Sequence, residues 1–165
     1  MTQTAISQQR KWQDEGVYLR LSINASPLIL DDLAMPEKLS NYAAEIGIDP
    51  SCITIEVTET AVMSDLVRYI DILARLRMKG FNLSIDDFGT GYSCLQQLIR
   101  VPFTELKIDQ AFIRNVNLDE ECRTIVKISI MLAHELGMNV VAEGIEDAGV
   151  WNTLKELGCD EAQGY

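Results

Sequence analysis

Asp86 and Asp87 stand side by side where an apolar run, Phe81 to Ile85, gives way to the loop Phe88-Gly-Thr-Gly-Tyr-Ser93. Adjacent carboxylates at a strand end repel each other and add nothing to packing. A hard divalent cation accounts for them economically, since such ions are held by oxygen ligands. Gly89 and Gly91 free the backbone that follows for conformations a Cβ would forbid. Further polar residues recur along the chain: Asn24, Glu56 with Glu59, Lys107 with Asp109, Glu143 with Glu146, and Gln163. Asn24 and Glu56 could face the Asp86–Asp87 pair across a common centre. Lys107, a cation amid acids, has two readings: a simple ion-pair partner, or a group that orients water and steadies charge on a phosphate.

These residues need elements to converge them. Strand-like runs are expected at Leu19–Asn24, Ile53–Val57, Asn82–Asp86, Glu105–Ile108, Val140–Glu143 and Glu161–Tyr165, and each carries one of the polar residues near its C-terminal end. Helical patterns lie between them. Asp31 or Asp32 can cap a helix ending at Gly47, and Ser64 one ending at Gly80 with Val67, Ile70, Leu73 and Leu76 on its apolar face. A short helix is expected from Ser93 to before Pro102. A long one from about Asp119 to Gly137 presents Ile125, Ile128 and Leu132, and a last one runs from Asp147 to Leu157 before Gly158.

Strand and helix thus alternate along the chain, which implies a parallel sheet with right-handed crossovers. Doubly wound sheets and (β/α)8 barrels both satisfy that rhythm. No Gly-x-Gly-x-x-Gly follows the first strand, so the dinucleotide-binding fingerprint is missing. A ring of polar strand ends favours the α/β (β/α)8 TIM-barrel type, whose C-terminal strand ends form one mouth.

The composition narrows the function classes. With 25 acids against 14 bases the formal net charge is -11, and no basic stripe exists to neutralise DNA or RNA phosphates or an anionic membrane. A phosphate-ester substrate would need metal between it and the acids. Cys52, Cys94, Cys122 and Cys159 form no Cys-x-x-Cys pair, and Met1 to Gly16 is too polar for a signal peptide. Reduced core thiols in a cytoplasmic protein without a membrane segment are expected. His134, the single histidine, has no serine or cysteine context for a triad and reads as structural.

Taken together, Ser22-Ile-Asn-Ala-Ser-Pro27, Glu56-Val-Thr-Glu59, Asp86-Asp-Phe-Gly-Thr-Gly-Tyr-Ser93, Lys107-Ile-Asp109, Val141-Ala-Glu-Gly-Ile-Glu146 and Gln163-Gly-Tyr165 resemble the EAL-type cyclic di-GMP phosphodiesterases of bacterial signalling. Order and spacing match across nearly the whole chain. The Asp-Phe-Gly triplet also occurs in protein kinases, but no other kinase motif accompanies it. The resemblance implies hydrolysis of cyclic di-GMP to pGpG by a two-metal mechanism. It implies that Asn24, Glu56 and Asp86 hold one Mg²⁺ or Mn²⁺ ion, with Asp86 bridging to a second held by Asp87. It also implies that Lys107 and Glu143 position and activate the attacking water. Glu59 and Glu146 would brace the loop Phe88–Tyr92, while Gln163, with Asp109 nearby, would line the substrate site.

The family's Glu-Ala-Leu strand, a further source of metal ligand, would precede this chain. Residues 1–165 are therefore expected to form a partial EAL-type barrel domain, about six strands of eight. Strand edges left open invite closure by a second copy, as a homodimer or strand-exchanged oligomer, or by a longer parent chain. Such a chain alone is expected to be weakly active or inactive. A non-catalytic module that binds cyclic di-GMP or a protein partner is the alternative. A metal-dependent barrel lyase or aldolase would fit the rhythm but not the motifs.

Overall fold

The computed structural model describes residues 2–91 and 95–164. Tyr92, Ser93, Cys94 and Tyr165, which the sequence motifs include or adjoin, lie outside the described residues. Six strands, β1 (Leu21–Asn24), β2 (Ile53–Thr58), β3 (Asn82–Phe88), β4 (Glu105–Ile108), β5 (Asn139–Ile145) and β6 (Glu161–Gly164), form one sheet in the order β1-β2-β3-β4-β5-β6. Every pairing is parallel. A sheet that adds each new strand beside the last has no switch point, so it is wound like a barrel and not like a dinucleotide-binding sheet.

The sheet curls. Arg20, just before β1, forms an ion pair with Glu161 at the start of β6, so the two outermost strands of the six come within side-chain reach. The result is an α/β half-barrel, incomplete because β1 and β6 each have one hydrogen-bonded neighbour among the described residues.

Alternation along the strands assigns the faces. Ile53, Ile55, Val57, Leu83, Ile85, Leu106, Ile108, Val140 and Ala142 are buried and belong to one apolar cluster with the helices. Each Ile, Leu or Val among them contributes about 1.5–3 kcal/mol through burial. The alternate residues Thr54, Glu56, Ser84, Glu105, Lys107 and Glu143 are polar, with Val141 the apolar exception on β5. Several line a cavity of about 350 Å³ with Arg20, Glu161 and Gln163 on the concave side. Parallel strands are usually apolar on both faces; here the inner face is not.

The helices are α1 (Thr2–Asp14), α2 (Pro27–Leu30), α3 (Met35–Ile46), α4 (Glu59–Ser64), α5 (Leu66–Met78), α6 (Leu95–Arg100), α7 (Gln110–Arg114), α8 (Glu120–Glu135) and α9 (Ala148–Leu157). Gly47 and Gly158 close α3 and α9 in the left-handed conformation, as their positions after apolar periods suggested. Asp119 and Asp147 cap α8 and α9.

Other expectations change. Ser64 ends α4, and the cap of α5 is Asp65, whose Oδ1 accepts from the Arg68 N–H at 3.3 Å. Neither Asp31 nor Asp32 caps the helix that ends at Gly47. Its N-cap is Ala34, whose N–H donates to Asp32 Oδ1 at 3.0 Å, because the short α2 occupies the preceding residues. Two apolar faces turn by one position: α5 buries Tyr69, Ile72, Leu73 and Leu76 while Val67 is exposed, and α8 buries Val126, Ile130 and Ala133 while Ile128 is exposed. Cys52, Cys122 and Cys159 are free and half-buried, and of these Cys159 packs against the apolar core. No described helix is long and apolar enough to cross a membrane.

Candidate metal centre

Two breaks in register shape the C-terminal strand ends. Between β3 and β4 the pairs Ile85↔Leu106 and Phe88↔Ile108 enclose two residues on β3, Asp86 and Asp87, against Lys107 alone on β4. That is a β-bulge, and Asp87 within it takes a positive φ of 57°. Successive side chains of a regular strand point to opposite faces. The bulge re-aims the second of the pair, so Asp86 and Asp87 both offer oxygens that lie, with one from Glu143, within 4.8 Å of one another. The second break follows Glu143, where Gly144 at φ 72° is the extra residue on β5 against β6.

Lys107 occupies the middle of this ring. Its Nζ lies 2.6 Å from Glu143 Oε1, 3.0 Å from Asp86 Oδ1 and 3.2 Å from Glu56 Oε1. The contact to Asp86 is one of charge, for Oδ1 is buried without a well-aligned hydrogen bond. Burial pulls the Lys107 ammonium toward lower pKa, yet its hydrogen bond to Glu143 and the charges of Glu56 and Asp86 outweigh that and hold it above the ordinary lysine value. Burial raises the Glu143 carboxyl, against the opposing pull of Lys107. Burial also raises Asp87, and the neighbouring charges of Asp86 and Asp109 push it the same way.

The remaining expected residues lie on β1, β2, β6 and the starts of α4 and α7. Asn24 is exposed on β1, level in register with Glu56. Gln163 is exposed on β6, level with Glu143. Thr58 Oγ1 accepts from the Ala61 N–H and starts α4 directly after β2, which places Glu59 in the first turn, fully buried. Its Oε2 accepts from the N–H groups of Gly89 at 2.9 Å and Gly91 at 3.3 Å. A Cβ added to Gly91 would stand 2.8 Å from Glu59 Oε1, so a larger residue there would push the Glu59 carboxylate aside. Asp109 caps α7, with Oδ1 2.7 Å from the Ala111 N.

Glu146 is exposed and pairs with Arg114 of α7 at 2.6 Å, and Tyr92, at the end of the loop it was expected to brace, lies outside the described residues. Two functional features were not read from the sequence. One is the bulge, which depends on cross-strand register. The other is Phe112 on α7, whose ring lies against Gly89; its only sequence signal is a place three residues beyond the Asp109 cap.

A cluster of carboxylates suits a hard cation. The three clustered carboxylate oxygens of Asp86, Asp87 and Glu143 are close enough to share one ion.

Comparison with known proteins agrees with this geometry. The model of the EAL domain matches residues 1–165. The cyclic di-GMP phosphodiesterase RocR of Pseudomonas aeruginosa is 34% identical over 160 residues, covering 97% of this chain and 41% of that protein. The solved complex of the PaMucR phosphodiesterase with c-di-GMP superposes with a TM-score of 0.91 at 36% identity, covering 99% of this chain and 66% of the other. Klebsiella pneumoniae BlrP1, in a complex with manganese and cyclic di-GMP, gives a TM-score of 0.85 at 31% identity over 98% of this chain and 40% of that one. The chain therefore spans less than half the length of RocR and about two thirds of the PaMucR chain. Matched along its whole length by the family model, the chain belongs to the EAL domain family.

Proposed function

We propose that this chain forms part of a divalent-cation-dependent phosphodiesterase that opens cyclic di-GMP to linear pGpG. The observation that carries the reading is the bulge at Asp86–Asp87, where two adjacent carboxylates offer oxygens within 4.8 Å of each other and of one from Glu143. An acidic protein with net charge -11 repels a phosphodiester unless cations stand between them. The relatives solved with c-di-GMP, one of them with manganese, support the same reading.

In this proposal Asn24, Glu56 and Asp86 would hold one Mg²⁺ or Mn²⁺ ion, and Asp86 and Asp87 would hold a second. Cations at such a site neutralise the phosphodiester and make water more acidic. Lys107 Nζ, tied to Glu56, Asp86 and Glu143, keeps the carboxylates from swinging apart. Glu143, half-buried beside Lys107, accepts the proton of the attacking water at a carboxylate oxygen. Glu59 fixes the backbone at Gly89 and Gly91, and Gln163 offers an amide to the substrate from the next strand. The open edges of β1 and β6 would be closed by further strands, of the same chain or of a second copy. Half-buried unpaired thiols fit a reaction in the cytoplasm.

The test is incubation of the protein, in its longest available form, with cyclic di-GMP and Mn²⁺, with products separated by chromatography. The expected outcome is pGpG, with loss of activity on chelation and a fall of at least about 100-fold in Asp87→Asn, as removal of a ligand costs more than removal of its outer support. Nucleotide binding that is equally tight without divalent cation, and no product, would overturn the reading in favour of a receptor.

A further inference from the structure

Asp87 takes a left-handed backbone conformation that aspartate tolerates but other residues with a side chain rarely adopt, and its surroundings help to hold it there. The loop that follows is held by two groups from different elements. Glu59, at the start of α4, takes the N–H groups of Gly89 and Gly91. The second group is Phe112. A Cβ added to Gly89 would stand 2.9 Å from Phe112 Cε2 and 3.5 Å from Cζ, so the ring lies directly against the Gly89 backbone. Hydrogen bonds to Glu59 set the direction of the N–H groups; the ring blocks the side of Gly89 where a side chain would project.

Phe112 is itself held in place. α7 starts at the Asp109 cap, buries Ile113 completely, and sets Gln110 so close to β5 that a Cβ on Gly144 would stand 2.6 Å from Gln110 Cβ. Arg114 ties the end of α7 to Glu146 beyond β5. One short helix thus touches both bulges, at Gly144 through Gln110 and at Gly89 through Phe112.

We propose that Phe112 is a positioning residue: with Glu59 it clamps the segment Asp87–Gly91 and so keeps the Asp87 carboxylate turned toward Asp86 and Glu143. Its link to cation binding rests on the two-cation reading above; the clamp itself does not. The experiment compares the full protein with Phe112→Ala and Phe112→Tyr, using amide hydrogen exchange without metal and calorimetric titration with Mn²⁺ alone. Phe112→Ala should speed exchange at Gly89 and Gly91 by about tenfold or more while β2 and β4 amides keep their protection. It should also weaken Mn²⁺ binding by about 10–100-fold, the range for a lost outer support of a ligand. Phe112→Tyr, which keeps the ring, should restore both. Exchange at Gly89 and Gly91 within about twofold of the parent protein, or faster exchange throughout the sheet, would overturn the clamp. A parent protein that binds no Mn²⁺ would sink the two-cation reading while the exchange data still decide the role of Phe112.

Discussion

The sheet leaves regular register twice, and the two bulges meet the same demand with different residues. In β5 the extra residue is Gly144 at φ 72°; in β3 it is Asp87 at φ 57°. At Gly144 a side chain is shut out, since Gln110 leaves no room for a Cβ. At Asp87 a glycine would sit more comfortably, yet the chain carries a carboxylate there. Steric exclusion explains the first residue. The second is a residue that tolerates the left-handed region better than most, and it sets a carboxylate beside Asp86 and Glu143. Strain that packing does not require is a pointer to function.

Lys107 joins the two bulges, touching Asp86 on one side and Glu143 on the other. Lys107→Met would strand three carboxylates without their cation. The expected loss in the metal-free protein is about 3–5 kcal/mol by urea denaturation, the usual cost of breaking a buried pair. Mn²⁺ should return part of that loss, because a cation then replaces the lysine charge. A metal-free variant as stable as the parent would show that the ring does not depend on Lys107.

The pair Asp87→Gly and Gly144→Ala tests the contrast directly. Asp87→Gly should lose cation affinity by at least about 100-fold and keep, or gain by up to about 1 kcal/mol, its thermal stability. Gly144→Ala should lose about 1–3 kcal/mol, or roughly 3–10 °C in Tm. Its Mn²⁺ affinity at Asp87, measured by titration calorimetry below the transition, should be far less changed than in Asp87→Gly. If Asp87→Gly proved the less stable of the two, the reading of Asp87 as a functional carboxylate in a costly conformation would fall.

The smallest expected effect is one of pH. Burial raises Asp87 and Glu143 above the ordinary carboxylate value, so over the interval above about pH 4 the folded chain keeps protons that the unfolded chain releases. Stability then falls as pH rises through that interval. In the metal-free protein Asp87→Asn should flatten this slope, whereas Gly144→Ala should only shift the whole curve down. Asp160, held low despite burial by His134 and the Val140 N–H, acts oppositely: its contribution is present above the ordinary carboxylate pKa and is lost on acidification. Denaturation curves from about pH 2 to 7 separate the two, the Asp160 loss falling below about pH 4 and the Asp87 and Glu143 slope above it.

Much of this molecule was legible in the sequence because the signals are local. Asp119 and Asp147 cap helices through their own neighbours' N–H groups, and Gly47 and Gly158 end helices within a single turn. The recurrence of a polar residue at each strand end likewise survives translation into structure, since parallel strands in chain order bring their C-terminal ends together. Faces were less legible. Val67 and Ile128 fit an apolar period as well as their neighbours do, and only the angle at which α5 and α8 meet the sheet leaves them exposed.

The residue types and their order along the chain determined the winding, the acid-rich mouth and the family. What the sequence could not determine was which way Asp87 points, because its direction depends on a register break with β4 that no local propensity encodes. The partner of Glu146 and the seat of Phe112 belong to the same class. Both depend on where α7 comes to rest against β5, a contact made between segments distant in sequence, and so only the tertiary structure decides it.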